Sequence, residues 1–132
     1  MSLLKNIFKS SSEEKKEVIS NINWIPLKKI EQLEEINEIS KEEIVMIFKH
    51  STRCGISRMV IKLFEKQFDK SMSNLKVYYL DLLNYRELSD EVGYKYQILH
   101  QSPQLLVIQN GIVVADASHY EITSIDLKSY VD

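Results

Sequence analysis

A single cysteine, Cys54, stands among the 132 residues. The chain can close no internal disulfide, and no zinc or cluster site built from several thiolates fits within it. What remains is a buried inert thiol, a thiol that bonds to other molecules, or a metal site shared between chains. No apolar run approaches the roughly 18 residues of a membrane-spanning helix, and nothing resembles a signal peptide with its cleavage site. An integral membrane protein is therefore not expected, and the cytoplasm is the expected compartment. A basic excess is missing too: 17 Lys and Arg face 19 Asp and Glu, giving a net charge of −2. That balance argues against a nucleic-acid partner, which calls for a basic patch. No internal repeat or low-complexity tract is present.

What is present fits one globular domain, with 44% hydrophobic and 27% charged residues. A domain of this length buries roughly two-thirds of the surface of its unfolded chain, enough for a core without disulfides or metal. Residues 1–20 read as an N-terminal arm, partly flexible or forming a short amphipathic helix through Leu3, Leu4, Ile7 and Phe8. Residues 21–132 read as the folded domain.

Within the domain, Trp24-Ile25-Pro26-Leu27 suits an edge strand, because Pro26 lacks a ladder donor. Ile30, Leu33, Ile36 and Ile39 recur at helical spacing among glutamates, so that helix has one wet face. The continuous run Ile44-Val45-Met46-Ile47-Phe48 predicts a central strand covered on both sides. Ile56, Met59, Val60, Leu63, Phe64 and Phe68 then give the strongest helical pattern in the chain, and are the expected buried face of that helix.

A strand over Leu75–Leu80 follows, then a helix through Tyr96 opened by the pair Asn84 and Glu87. Gln104–Gln109 and Ile112–Ala115 flank Asn110-Gly111, the strongest short hairpin signal, since both turn residues tolerate positive φ. A closing helix is expected from about Thr123, carrying Ile125, Leu127, Tyr130 and Val131. The fold class is α/β: a mixed central sheet with helices on both faces, helical crossovers making neighbouring strands parallel, and an antiparallel C-terminal hairpin.

In this order Cys54 falls between the end of the central strand and the start of the most amphipathic helix. Unpaired backbone N–H groups and the positive end of the helix dipole favour a thiolate there, and Arg53 and His50 add possible positive charge. A sulfur that ionises easily also leaves easily, so such a site suits turnover through mixed disulfides. Cys54-Gly55-Ile56-Ser57 is a C-x-x-S arrangement in which Ser57 replaces the second thiol of a dithiol site. Ser57 cannot close a disulfide but can hydrogen-bond to a thiolate, so release requires an external thiol. Asp81, at a strand end, is a candidate either for a proton relay or for capping the next segment.

The stretches His50-Ser51-Thr52-Arg53-Cys54-Gly55-Ile56-Ser57, Val77 to Arg86, His100-Gln101-Ser102-Pro103-Gln104, Asn110-Gly111 and Ala117 to Thr123 are similar to those of the YtxJ-type monothiol bacilliredoxins, on a thioredoxin-like fold. The resemblance spans roughly Trp24 to Thr123. It implies a monothiol oxidoreductase in which Cys54 takes a low-molecular-weight thiol, bacillithiol, off S-thiolated protein cysteines and becomes a mixed disulfide itself. It also implies that Ser102-Pro103 is a cis peptide facing Cys54, with His100 beside it, in a loop that positions substrate. Thr52, Arg53, Gly55, Ile56 and His50 then surround the thiolate. No permanently bound cofactor is implied, and bacillithiol is the co-substrate.

Family members usually read Cys-Pro-Ile-Ser. Gly55 makes the motif similar to the Cys-Gly-Phe-Ser of monothiol glutaredoxins, which bind a [2Fe–2S] cluster between two subunits with glutathione. Against that alternative, Ala115-Asp116-Ala117-Ser118 stands where glutaredoxins carry paired glycines. A second alternative is a non-catalytic thioredoxin-fold binding module. A peroxiredoxin would need proline where Ile47 stands, and His50, His100 and His119 lack the spacing of a metal or Cys-His hydrolase site.

Overall fold

A computed structural model describes residues 22–131. The expected arm over residues 1–20 lies outside the described residues. Five strands form one sheet in the order β1-β3-β2-β4-β5, namely β1 (Trp24–Pro26), β2 (Val45–His50), β3 (Lys76–Asp81), β4 (Gln104–Gln109) and β5 (Ile112–Ser118). The helices are α1 (Glu31–Ile39), α2 (Gly55–Lys66) and α3 (Arg86–Tyr96).

The apolar run of β2 is indeed central, and every one of its residues is buried. Its pleat sends Met46 and Phe48 into a core with Val60, Phe64 and Phe68 of the α2 layer. Val45 and Ile47 enter a second core with Leu33 and Ile36 of α1 and Leu88, Val92 and Tyr96 of α3. The sheet is thus covered on both faces. Trp24, on the edge strand, packs its ring edge-on at 5.8 Å from Phe48 and donates from Nε1 to Glu65 on α2 at 3.0 Å.

β1, β3 and β2 run parallel, and β4 and β5 form the expected antiparallel hairpin. The pairing of β4 with β2 is antiparallel rather than parallel. A helical crossover makes strands parallel only if it carries the chain back along the full sheet. Here α3 and the segment after it return the chain to the end where β3 finished, and Gln104 enters opposite Lys49.

Three other expectations are corrected. On α2, Ser57, Val60 and Phe64 form the buried stripe, while Ile56, Met59 and Leu63 are 41%, 52% and 38% exposed. The two stripes have identical spacing and are offset by one residue, and only one of them can meet the sheet. The start of α3 is capped by Tyr85 without a side-chain bond, because Asn84 instead donates from Nδ2 to Asp81 at 2.7 Å. The closing helix is replaced by 3₁₀ turns over His119–Ser124 and Leu127–Tyr130, separated by extended Ile125. Ile125 and Leu127 would point to opposite sides of an α-helix. The two-turn path buries Ile122 and Leu127 together.

The hairpin turn holds Asn110 at φ 53° and Gly111 at φ 75°. Its tip is tied to the end of α1: Asn110 N–H donates to the Ser40 carbonyl at 2.8 Å, and Gly111 N–H donates to Ser40 Oγ at 2.9 Å.

Candidate active site around Cys54

β2 ends at His50, and a short turn over Ser51 to Arg53 delivers Cys54 as the N-cap of α2, in an extended conformation (φ −97°, ψ 121°). Cys54 N–H donates to the Ser51 carbonyl at 3.2 Å, and the Cys54 carbonyl accepts from Arg58 N–H at 3.0 Å, its first intrahelical bond. The thiol is half-buried and caps nothing. No acidic residue occupies the first turn of α2, whereas α1 carries Glu31 and Glu34 there. The positive end of the α2 dipole is therefore left uncompensated beside the sulfur.

Thr52, Arg53, Gly55 and Ile56 are exposed around the thiol. A Cβ on Gly55 would meet only Arg58 Nη2, at 3.9 Å, so the backbone does not require glycine there.

Ser57 is fully buried. Its hydroxyl accepts from Ser51 N–H at 3.0 Å and lies 2.7 Å from His50 Nδ1. It is thus bonded to the strand end beneath the turn. His50 is 5% exposed, stands opposite Asp81 in the parallel ladder, and lies against the Tyr79 ring at 5.6 Å. Burial pushes its pKa below the usual histidine value; Asp81 pulls it back up, and Arg58 adds to the lowering. Asp81 itself accepts from Leu83 N–H at 3.2 Å and from Asn84 at its backbone and side-chain nitrogens, so it caps the turn after β3.

The Ser102-Pro103 bond is cis. Pro103 is buried and directly precedes β4, whose first residue pairs with Lys49, so the loop lies at the same end of the sheet as His50 and Ser51. Gln104 holds the loop by donating from Nε2 to the Leu99 carbonyl at 3.0 Å and accepting from Gln101 N–H at 3.4 Å. The Pro103 carbonyl accepts from His119 N–H at 2.9 Å. Ser102 Oγ is buried and unpaired.

Sequence reasoning missed Lys49. Its Nζ donates to the Ser89 carbonyl on α3 at 3.3 Å and lies 3.4 Å from His100 Nδ1. Burial lowers its pKa to about 8, with Asp90 opposing. His100 is also lowered, by burial first and then by Lys49. The available signal was the strand's period: Lys49 continues the Val45, Ile47 face for one more residue.

A parallel and antiparallel sheet meeting at a cysteine-capped helix, with a cis-proline loop at the same end, agrees with the matches to known proteins. The family model of the monothiol bacilliredoxin BrxC matches residues 25–127. The chain belongs to the monothiol bacilliredoxin family. This family match covers far more of the chain than the four-residue likeness to monothiol glutaredoxins. Among solved structures, the chain is similar to a protein assigned as an oxidoreductase with a thioredoxin fold, at 33% identity and TM-score 0.65, over 76% of this chain and 88% of that one. Thioredoxin of Schistosoma mansoni matches at 21% identity and TM-score 0.64, over 83% and 96% of the two chains. Thioredoxin of Malassezia sympodialis matches at 17% and 0.64, over 80% and 88%. The last two show the fold. Family and fold together support a thiol–disulfide redox role. Among the described residues no helix is long and apolar enough to cross a membrane, and no group of three or more His, Cys, Asp or Glu side chains is placed to hold a metal ion.

Proposed function

We propose that this bacilliredoxin-family chain removes bacillithiol from S-thiolated proteins through a mixed disulfide on Cys54, in the cytoplasm. The observation that carries the reading is the half-buried thiol at an α2 N-terminus free of first-turn carboxylates. Reactive cysteines occur at such helix N-termini, and a thiol placed there suits turnover through mixed disulfides. The Cys54 thiolate attacks the bacillithiol sulfur of the protein mixed disulfide. A new S–S bond forms on Cys54, the old one breaks, and the electron pair leaves with the protein sulfur. A second thiol later attacks the Cys54 adduct and regenerates the enzyme, because Ser57 offers no sulfur for an internal step.

The loop of His100, Ser102 and Pro103 positions the disulfide substrate. Thr52, Arg53 and Gly55 border the thiol on the solvent side, and exposed Ile56 and Met59 offer an apolar surface suited to a protein partner.

Incubation with a bacillithiolated test protein is expected to move the adduct onto Cys54, read by intact mass, and Cys54→Ala is expected to abolish the transfer. A Cys54 that stays unmodified after such incubation sinks the reading.

A further inference from the structure

The outward side of α2 carries two rows of different chemistry. Arg58, Lys62 and Lys66 recur every fourth residue and form an exposed basic row. Ile56, Met59 and Leu63 form an exposed apolar row beside it. Tyr120 borders the apolar row, donating from its hydroxyl to Met59 Sδ at 3.8 Å. The carboxylate of α2, Glu65, is taken up by Trp24 Nε1 at 3.0 Å, and among the described residues none of the three cations takes part in an ion pair.

Charge is segregated across the sheet. The net charge is −2, yet α1, packed on the opposite face, carries Glu31, Glu34, Glu35 and Glu38 and no basic residue. An anionic partner is therefore drawn to the α2 face and turned away from the α1 face. Both rows begin at the thiol. Arg58 Nη2 is the nearest atom, at 3.9 Å, to a Cβ placed on Gly55, and Ile56 follows Cys54 by two residues.

We propose that the exposed face of α2 is the docking surface for the protein disulfide, and that it selects partners whose reacting cysteine lies in an acidic segment interspersed with apolar residues. The proposal rests on Cys54 being the reacting thiol and deepens that reading by naming the partner's chemistry. Cys54 meets the partner's sulfur, the apolar row covers its apolar side chains and the basic row meets its carboxylates. Helix rise sets the reach: Arg58 to Lys66 lie about 6 to 18 Å along the axis from Cys54, the span of about two to six residues of an extended segment. The face ends at a thiol whose reaction partner is a protein disulfide, which favours a protein over a lipid surface.

The test uses the full chain and three peptides that carry one cysteine as a 2-pyridyl disulfide. They have Glu and Leu, Gln and Leu, or Lys and Leu within about six residues on each side. Attack of Cys54 on the peptide sulfur forms the Cys54–peptide disulfide, breaks the old S–S bond and expels pyridine-2-thione, whose absorbance gives the rate. At low salt the Glu peptide is expected to react about tenfold faster than the Gln peptide, and the Lys peptide more slowly than either. At about 0.5 M salt the preference should shrink below about twofold. Lys62→Glu with Lys66→Glu changes two exposed positions remote from the thiol. That double variant should keep the Gln-peptide rate and bring the Glu peptide down to it. Equal rates for the three peptides at low salt overturn the docking face, as does a preference that survives in the double variant. Binding to phosphatidylserine vesicles in place of a peptide preference assigns the face to a lipid surface and overturns it too. No release from any peptide overturns the reading of Cys54 itself, and this proposal with it. Bacillithiol is absent throughout, so failure of the docking face and failure of bacillithiol transfer are distinguishable.

Discussion

Lys49 and His50 are consecutive residues of one strand, and the pleat turns them to opposite faces of the sheet. Both are buried, and burial lowers the pKa of each, that of Lys49 to about 8. His50 lies against a serine hydroxyl, which also holds Ser51 N–H, and stands opposite Asp81 in the ladder. Lys49 has a helix carbonyl and an imidazole, and among the described residues it takes part in no ion pair. The face carrying Cys54 thus holds two hydrogen bonds, of 2.7 and 3.0 Å, on one buried serine hydroxyl. The opposite face holds a cation that links α3 to the segment before Pro103 through contacts at the long end of hydrogen-bond range. Equal burial at one strand end accompanies a hydroxyl-bonded imidazole on the Cys54 side and a bracing cation on the other.

The sharpest way to break that contrast is Ser57→Ala. It leaves Ser51 N–H without its partner and His50 Nδ1 facing a methyl group where solvent cannot reach. The expected loss of stability is about 2–3 kcal/mol in urea unfolding. A loss below about 0.5 kcal/mol would mean that the Cys54 face is no better bonded than the other.

A smaller effect, of opposite sign, is expected from Lys49→Met. Methionine keeps the stem's packing and removes a charge that burial disfavours, so stability at pH 7 should rise by about 1 kcal/mol. The pH dependence identifies the cause. The folded-state pKa of about 8 lies below the ordinary 10.5. Across that interval the unfolded chain holds a proton that the folded chain has shed, so wild-type stability climbs as pH is raised through it. The climb should be missing from Lys49→Met in unfolding curves at successive pH values. A climb that persists would assign it to another group.

Much of this architecture was legible in the sequence because periodicity and turn chemistry are local. The run ending at Phe48, the acidic helix of Ile30 to Ile39 and the Asn110-Gly111 hairpin each declare themselves within a few residues. The thiol's place at a strand-to-helix junction followed from the same patterns. Which stripe of α2 would be buried did not, since two stripes share one spacing and the sheet alone chooses between them. That choice put Ser57 inside and made it the partner of His50. Lys49 was missed for a related reason: a lysine after an apolar run reads as the strand's end, whereas tertiary contacts from Ser89 and His100 let the strand continue. The C-terminal turns were misread as a helix because Ile122 and Leu127 are brought together by the core and not by a helical repeat.

Ser40 has a consequence for how the molecule opens. A hairpin turn ordinarily frays first, and its amides exchange with solvent at little free-energy cost. Here the amides of Asn110 and Gly111 are held by a fully buried residue far earlier in the chain, Ser40 at the end of α1. They can be released only if that helix end or the last two strands detach. In hydrogen exchange these two turn amides should be among the slow ones, matching the central strand and making the hairpin tip a reporter of global unfolding.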